Sequence, residues 1–254
     1  MKLYDSHIHL ARLPQPLNLA RSLHQSGYKY CAVACEPWEW TALDEIWEKA
    51  GGEGWLEGCG KAYGIHPMIA AKIAGDLDKI MEDLRRRLEK DPNAQAGEAG
   101  LDKRYEGYEP GGVQEEIFRT QARMAMEFGR DLQIHCVGDY GRVIRILREV
   151  GFGAGAGTGI WPDAGVKLCR PVFHRFGADA GIVKAGLSLG AIFSIHADSF
   201  RKKATREALA LIPTENLRFE TDADESFVLD ANEVPQQFAE RLVQKLSETI
   251  NALP

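Results

Sequence analysis

The chain has 254 residues, 44% of them hydrophobic and 27% charged, a balance that supports a sizeable core and excludes disordered, collagenous and disulfide-framework classes. With 31 basic against 37 acidic side chains the net charge is −6, which argues against broad binding along a nucleic acid backbone. It does not exclude a nucleic acid substrate, because bound divalent cations add positive charge that the count omits.

Eight β-type runs follow one another along the chain: Leu3 to His7, Tyr30 to Cys35, Gly60 to Ile65, Gln95 to Leu101, Leu132 to Cys136, Val172 to His174, Ala191 to His196 and Leu217 to Thr221. Helical stretches separate them. Val143, Ile144, Leu147 and Val150 make one apolar stripe, and Phe238, Leu242, Val243, Leu246 and Ile250 make another. Strict alternation requires parallel strands, and eight units in about 250 residues fit a closed (β/α)8 TIM barrel better than an open sheet. No composition break marks a linker, so residues 1–254 are expected to form one domain.

Several local patterns carry no chemistry. The glycine-rich run 151–159 follows a helix, where a dinucleotide fingerprint follows a strand, so it is expected to be a surface insertion on the bottom face. Gly186-Leu-Ser188-Leu-Gly190 has the letters of a nucleophile elbow but precedes its strand. The five cysteines, Cys31, Cys35, Cys59, Cys136 and Cys169, are scattered over apolar runs and read as reduced, mostly buried thiols. No run approaches the roughly 18 uncharged apolar residues of a membrane span, and Met1-Lys2-Leu3-Tyr4-Asp5 meets charge too early for a signal peptide. The expected location is cytoplasmic, with no membrane and no obligate protein partner indicated.

Chemistry collects at the strand ends. In an extended strand His7 and His9 point to the same side, so one metal ion can receive both imidazoles. Glu98 lies on the fourth run, His135 closes the fifth, His174 the sixth, and Asp222 follows the eighth. Barrel active sites form at those ends, and five strands ending in polar metal-type residues would be costly without a metal or hydrogen bonds. Asp5, on the same side as His7, is either a partner of a ligand histidine or a buried structural carboxylate. His196 is a candidate for the cleft rim, and His24 reads as ordinary surface. The strand-to-helix loops also carry Trp38, Trp40, Lys103, Arg104, Tyr105, Arg175 and Arg201-Lys202-Lys203, which read either as a phosphate and base platform or as a solvated mixed-charge rim. Arg85-Arg86-Arg87 reads as the outer face of a helix.

The sequence resembles the TatD family of metal-dependent hydrolases, among the amidohydrolase-like barrels. Asp5-Ser-His7-Ile-His9 is similar to the family's opening motif, Gly64-Ile-His66-Pro67 to its Gly-x-His-Pro, and Gly97-Glu98-Ala-Gly100-Leu101-Asp102 to its Gly-Glu-x-Gly-Leu-Asp. Gln133-Ile-His135, Val172-Phe-His174 and Glu220-Thr-Asp222 match the later motifs in order and spacing.

The resemblance implies a binuclear centre in which His7, His9 and Asp222 hold one divalent ion, His135 and His174 hold the second, and Glu98 bridges them. The ions would be zinc, magnesium or manganese. It further implies a 3′-to-5′ deoxyribonuclease acting on single-stranded or frayed DNA through a metal-activated water, with Asp222 orienting that water. His66 would be a substrate-phosphate or leaving-group partner, or else a turn histidine beside Pro67. Lys103, Arg104 and Arg175 are candidate substrate contacts. An amidohydrolase or esterase acting on a small molecule is the alternative. The chain departs from the family pattern where Ala223-Asp224-Glu225 replaces the usual proline after the Glu-Thr-Asp motif, where Arg175 follows His174, and where the segment between His135 and His174 is lengthened. Extra negative charge after Asp222 is expected to affect substrate preference.

Overall fold

The computed structural model describes residues 3–153, 169–228 and 233–253. Eight parallel strands close into a barrel in sequence order: β1 (Tyr4–Ile8), β2 (Lys29–Ala34), β3 (Gly60–Tyr63), β4 (Gln95–Asp102), β5 (Leu132–Val137), β6 (Pro171–Phe173), β7 (Ile192–Ile195) and β8 (Leu217–Phe219). Each is followed by a helix: α1 (Pro16–Gln25), α2 (Pro37–Gly51), α3 (Leu77–Lys90), α4 (Val113–Phe128), α5 (Tyr140–Val150), α6 (Ala180–Leu187), α7 (Lys203–Leu209) and α8 (Pro235–Asn251). The (β/α)8 barrel expected from the alternation is therefore the observed architecture.

The helices form where an apolar stripe meets a start signal. Helices α1, α2 and α8 open with proline, whose missing N–H costs nothing in a first turn. Asp139 caps α5 by accepting from Arg142 N–H, and Gly151 closes it in a left-handed conformation. Val143, Ile144 and Leu147 of its stripe are buried, and Val150 is partly so. On α8, Phe238, Leu242 and Leu246 fall on one buried face at spacings of four. Outside the barrel wall Phe193 stacks on Phe173 at 5.8 Å and meets Phe176 edge-on at 4.9 Å, joining β6 to β7.

Strand β4 is pressed against both neighbours at main-chain distance. A Cβ on Gly97 would lie 2.3 Å from the carbonyl oxygen of Gln133 on β5, and one on Gly64 would lie 2.4 Å from the Gly97 backbone. Gly97 also has φ +99°, which L side chains rarely adopt. The motif glycines thus set how deeply Glu98 sits in the barrel.

Strand ends depart from expectation at several places: β1, β4 and β5 run one residue further, and β2 stops at Ala34 and β3 at Tyr63, short of Cys35 and Ile65. β6 stops at Phe173, β7 at Ile195 and β8 at Phe219, so His174, His196 and Thr221 lie just beyond the regular ladder. Backbone bonds nevertheless continue from His174 N–H to Ile134 O and from Glu220 N–H to Ile195 O. The barrel closes where β1 meets β8 through the Asp5 and Phe219 pair, extended by a bridge between Ile8 and Ala223. Of the glycine-rich run, residues 154–159 lie outside the described residues; Gly186 to Gly190 ends α6 and leads into β7.

Candidate metal centre and cleft

The carboxyl ends of the strands converge on Glu98, which is buried on β4. Its Oε2 faces His7 Nε2 at 3.3 Å and His9 Nε2 at 3.6 Å. Its Oε1 faces His174 Nε2 at 2.8 Å, His135 Nδ1 at 2.9 Å and His66 Nε2 at 3.5 Å. Asp222 adds Oδ1 at 3.3 Å from His9 Nε2 and 3.9 Å from His7 Nε2. All six candidate ligands named from the strand ends therefore share one site, together with His66.

The far nitrogens assign the tautomers. His9 Nδ1 donates to Val33 O at 3.2 Å and His7 Nδ1 to Gln133 Oε1 at 3.3 Å. Gln133 is itself oriented by donating to Gln95 Oε1. His135 Nε2 donates to Asp102 Oδ2 at 2.8 Å, and His174 Nδ1 lies 3.5 Å from Glu220 Oε1. Each ring thus faces a protein acceptor on its outer side and turns a lone pair toward the carboxylates, the arrangement of ligating imidazoles. His66 is the reverse: its Nδ1 accepts from Met68 N–H, so in the neutral ring Nε2 carries the proton and is a donor. Proximity alone groups His66 with Glu98 and His135; the tautomer removes it from the ligand set.

Spacing supports the same division. Four donors about 2.0–2.1 Å from one tetrahedral ion stand roughly 3.3–3.4 Å apart, and the four imidazole-to-carboxylate distances from His7 and His9 Nε2 to Glu98 Oε2 and Asp222 Oδ1 run from 3.3 to 3.9 Å, while proximity also groups His7 with His174 and Asp222. On the outer side of the His174 ring, His174 Nδ1 and Glu220 Oε2 have no hydrogen-bond partner among the described residues.

Electrostatics shows what the site demands. Burial opposes ionisation of Glu98, but the surrounding imidazoles, His174 foremost, outweigh it and hold the carboxyl well below its usual range. Asp222 is lowered likewise, burial being overcome by His9, His174 and His7. Burial would depress His9, yet Asp222 and Glu98 lift it to about 9. The same competition, with Glu98 foremost among the charges, raises His174. Two ionised buried carboxylates call for positive charge, which protons on the imidazoles or bound cations can supply. His66 goes the other way: burial and neighbouring His135 lower it to about 3, so it is neutral.

The cleft above the centre, about 320 Å³, is lined by His9, Cys35, His66 and Glu98 at its floor, with Arg12, Arg104, Tyr105, Arg175 and Asp224 around it. Its arginines are engaged: Arg175 bonds Asp222 Oδ2 at 2.8 Å and also Asp198, Arg104 bonds Asp102, and Arg12 bonds Glu36 and Glu39. Lys103 is exposed but outside the lining.

One open reading is decided and three expectations about other residues change. Asp5 touches no imidazole ring; it accepts from Tyr28 Oη, the Thr221 hydroxyl and N–H, and His7 N–H, and so is the buried structural carboxylate joining β1 to the segment after β8. Trp40 leaves the proposed platform because it is fully buried, with its indole N–H bonded to Gly64 O. His196 caps the turn Ala197–Phe200 by accepting from Asp198 N–H and does not line the cleft. Arg87 is half-buried and tied to Asp83 and Asp44, while Arg85 and Arg86 pair on the surface.

Two contributors escaped the sequence reading. Asp102 orients His135; a signal existed in its place in the Gly-Glu-x-Gly-Leu-Asp motif. Cys35, just after β2, puts Sγ 3.2 Å from Glu98 Oε2, and burial with Glu98 and Glu39 pushes its thiol far up, so it stays protonated and donates. Nothing in its local sequence signals that contact.

Fold and donor set together define a (β/α)8 barrel with a candidate metal centre at the carboxyl ends of its strands. The chain belongs to the TatD related DNase family, whose model matches residues 4–253. It is 30% identical over 170 residues to a 3'-5' ssDNA/RNA exonuclease TatD of Pantoea ananatis, covering 65% of this chain and 58% of that protein. The chain thus spans somewhat more than half the length of the curated relatives it matches. Among solved structures, a TatD family hydrolase from Entamoeba histolytica superposes with TM-score 0.71 at 14% identity, covering 100% of this chain and 93% of that one. The TatD homolog YJJV from Escherichia coli K12 gives TM-score 0.68 at 22% identity, over 98% and 90%. These two likenesses concern the fold.

Proposed function

We propose that the protein is a single-domain, two-metal-dependent hydrolase, a 3′-to-5′ exonuclease acting on single-stranded or frayed DNA ends. The observation that carries this reading is the division of Glu98, one oxygen toward His7 and His9 and the other toward His135 and His174. That is the geometry of a carboxylate shared by two cations. Membership of a DNase family and the names of its exonuclease relatives support nucleic acid as the substrate class.

His7, His9 and Asp222 would hold one ion and His135 and His174 the other, with Glu98 common to both; zinc, manganese or magnesium suits such nitrogen and oxygen donors. Such ions supply Lewis acidity toward a phosphoryl oxygen and acidify water. The remaining work falls to the chain. Asp222 is ionised, fixed by Arg175 at Oδ2, and placed to accept the proton of an attacking water. Neutral His66 presents Nε2–H over Glu98 and is placed to donate to a phosphoryl or leaving oxygen. Arg104 and Arg175 offer guanidinium donors at the cleft wall. No described helix is long and apolar enough to cross a membrane; with five free cysteines, the reading places the protein in the cytoplasm.

Asp224 gives one reason to retain the alternative. Among the described residues its side chain bonds only Ser226 while it lines the cleft, and a small neutral or cationic amide or ester would tolerate it better than a phosphodiester. The deciding experiment is release of mononucleotides from 3′-labelled single-stranded DNA by metal-stripped protein before and after adding magnesium, manganese or zinc. Release restored by metal and absent in Asp222→Asn is expected. No release with any bound metal would favour the small-substrate hydrolase.

A further inference from the structure

We infer that Trp38 and Tyr105 are two nucleobase-stacking subsites on either side of His66, so that a single strand lies across the β1 to β4 half of the barrel rim. The inference rests on the nuclease reading above and adds to it where the bases go. Three large aromatic side chains are exposed among the described residues: Tyr4, Trp38 and Tyr105. Tyr4 opens β1 at the far end of the barrel. Trp38, 52% exposed, sits in the first turn of α2, and Tyr105, 38% exposed, follows β4; both therefore stand at the carboxyl end, beside the cleft.

The two rings are built alike. Arg12 lies over Trp38 at 5.8 Å and Arg104 over Tyr105 at 5.7 Å, and both arginines line the cleft. Each guanidinium is pinned by carboxylates, Arg12 by Glu36 and Glu39, Arg104 by Asp102. One side of each ring is thus backed by a fixed cation, and the ring remains open to solvent for a base. Tyr105 also meets His66 edge-on at 6.1 Å, beside the donor proposed for the reacting phosphate. Trp40, two residues from Trp38, shows the contrast: it is buried and its N–H is used.

Charge selects the path. On the β6 to β8 side Asp198 and Asp222 share Arg175, and Asp224 has no cationic partner among the described residues, so a phosphate backbone is disfavoured there. On the β4 side Arg104 is paired with one carboxylate, Asp102, whereas Arg12 beside Trp38 is shared by Glu36, Glu39 and Glu225, so the phosphates are favoured nearest Tyr105. Stacking accepts any base, so the subsites would hold a strand without reading its sequence.

The test measures binding of a dye-labelled single-stranded oligodeoxynucleotide to metal-stripped protein by fluorescence anisotropy. A matched oligonucleotide has tetrahydrofuran abasic sites in place of nucleotides. Trp38→Ala and Tyr105→Ala should each weaken the base-bearing strand by about 5- to 150-fold and leave abasic binding unchanged. Phenylalanine at either position should restore binding, and Leu211→Ala, on the opposite end of the barrel, should have no effect. Equal losses on both strands, or none on either, overturn the stacking subsites. Binding with stacking selectivity but no release of nucleotides under any cation leaves the subsites standing and refutes the nuclease reading. A wild-type protein that binds neither strand refutes both.

Discussion

Asp102→Asn isolates one charge while keeping shape. Asp102 Oδ2 takes the Nε2–H of His135 at 2.8 Å, and the opposite ring nitrogen lies 2.9 Å from Glu98 and 3.1 Å from His174. Burial pushes the Asp102 carboxyl up, but His135 and Arg104 outweigh it and hold it below its usual range, so the ring rests against a full negative charge. Asparagine retains an acceptor oxygen and removes that charge, which makes His135 a weaker donor to a cation. Carboxylate partners of ligand histidines are worth about 10- to 100-fold in metal affinity, or about 1.4–2.8 kcal/mol. Asp102 is itself buried and paired with both Arg104 and His135, so the metal-free variant should also lose roughly 1–3 kcal/mol of stability, and the titration is run well below its unfolding temperature. Calorimetric titration of manganese into metal-stripped protein should show one binding step weakened by that factor. The step belonging to His7, His9 and Asp222 should be unmoved. Two unchanged steps, or two weakened equally, would refute the assignment of His135 and its orienting carboxylate to one of two separate sites.

Three further outcomes are expected. Glu98→Ala should abolish turnover and metal retention while His24→Ala preserves both; turnover surviving the first change would end the two-metal scheme. Gly97→Ala places a Cβ 2.3 Å from Gln133 O at φ +99°, so urea unfolding should show a loss of at least about 2 kcal/mol, and wild-type stability would contradict the packing of β4 on β5. Burial raises the Asp5 carboxyl to about 7 despite its bonds to Thr221 and Tyr28. The folded state therefore holds that proton where the unfolded chain has lost it, and stability falls as pH rises from about 4 to 7, by up to about 4 kcal/mol from this group. Comparing urea midpoints of metal-stripped wild type and Asp5→Asn at pH 5 and 8 should show the smaller pH-driven loss in the variant; equal losses would mean the carboxylate is satisfied when charged.

The rhythm of the barrel was legible because parallel βα units repeat at a length that hydrophobic periodicity reports well, and all eight strands lie where apolar runs predict them. Their ends were less so. The regular ladder stops before His174 and Thr221, and the residues that follow them, Arg175 and Asp222, have positive φ; apolar content does not register such a turn. On β1 the register slips between Asp5 and Ile8, so simple alternation misplaces Asp5 while still bringing His7 and His9 together. The ligand histidines were visible as polar residues at apolar strand ends; Cys35 was not, because a buried thiol looks the same beside a leucine or beside Glu98. Trp38 and Trp40 read as a pair in the sequence, but two residues apart on a helix they face different ways, one into the core and one out.

The closure of the barrel ties the candidate metal centre to the integrity of the chain. β1 and β8 share a single ladder pair and one bridge, whereas β2 and β3 share four pairs. His7 and His9 stand on one side of this seam and Asp222 on the other, and Asp222 N–H already bonds His7 O. A cation held by these three would act as a staple between the two ends of the sequence, joining segments more than two hundred residues apart. Its binding free energy would add to folding stability, and hydrogen exchange at the first and last strands would slow as the ion is taken up.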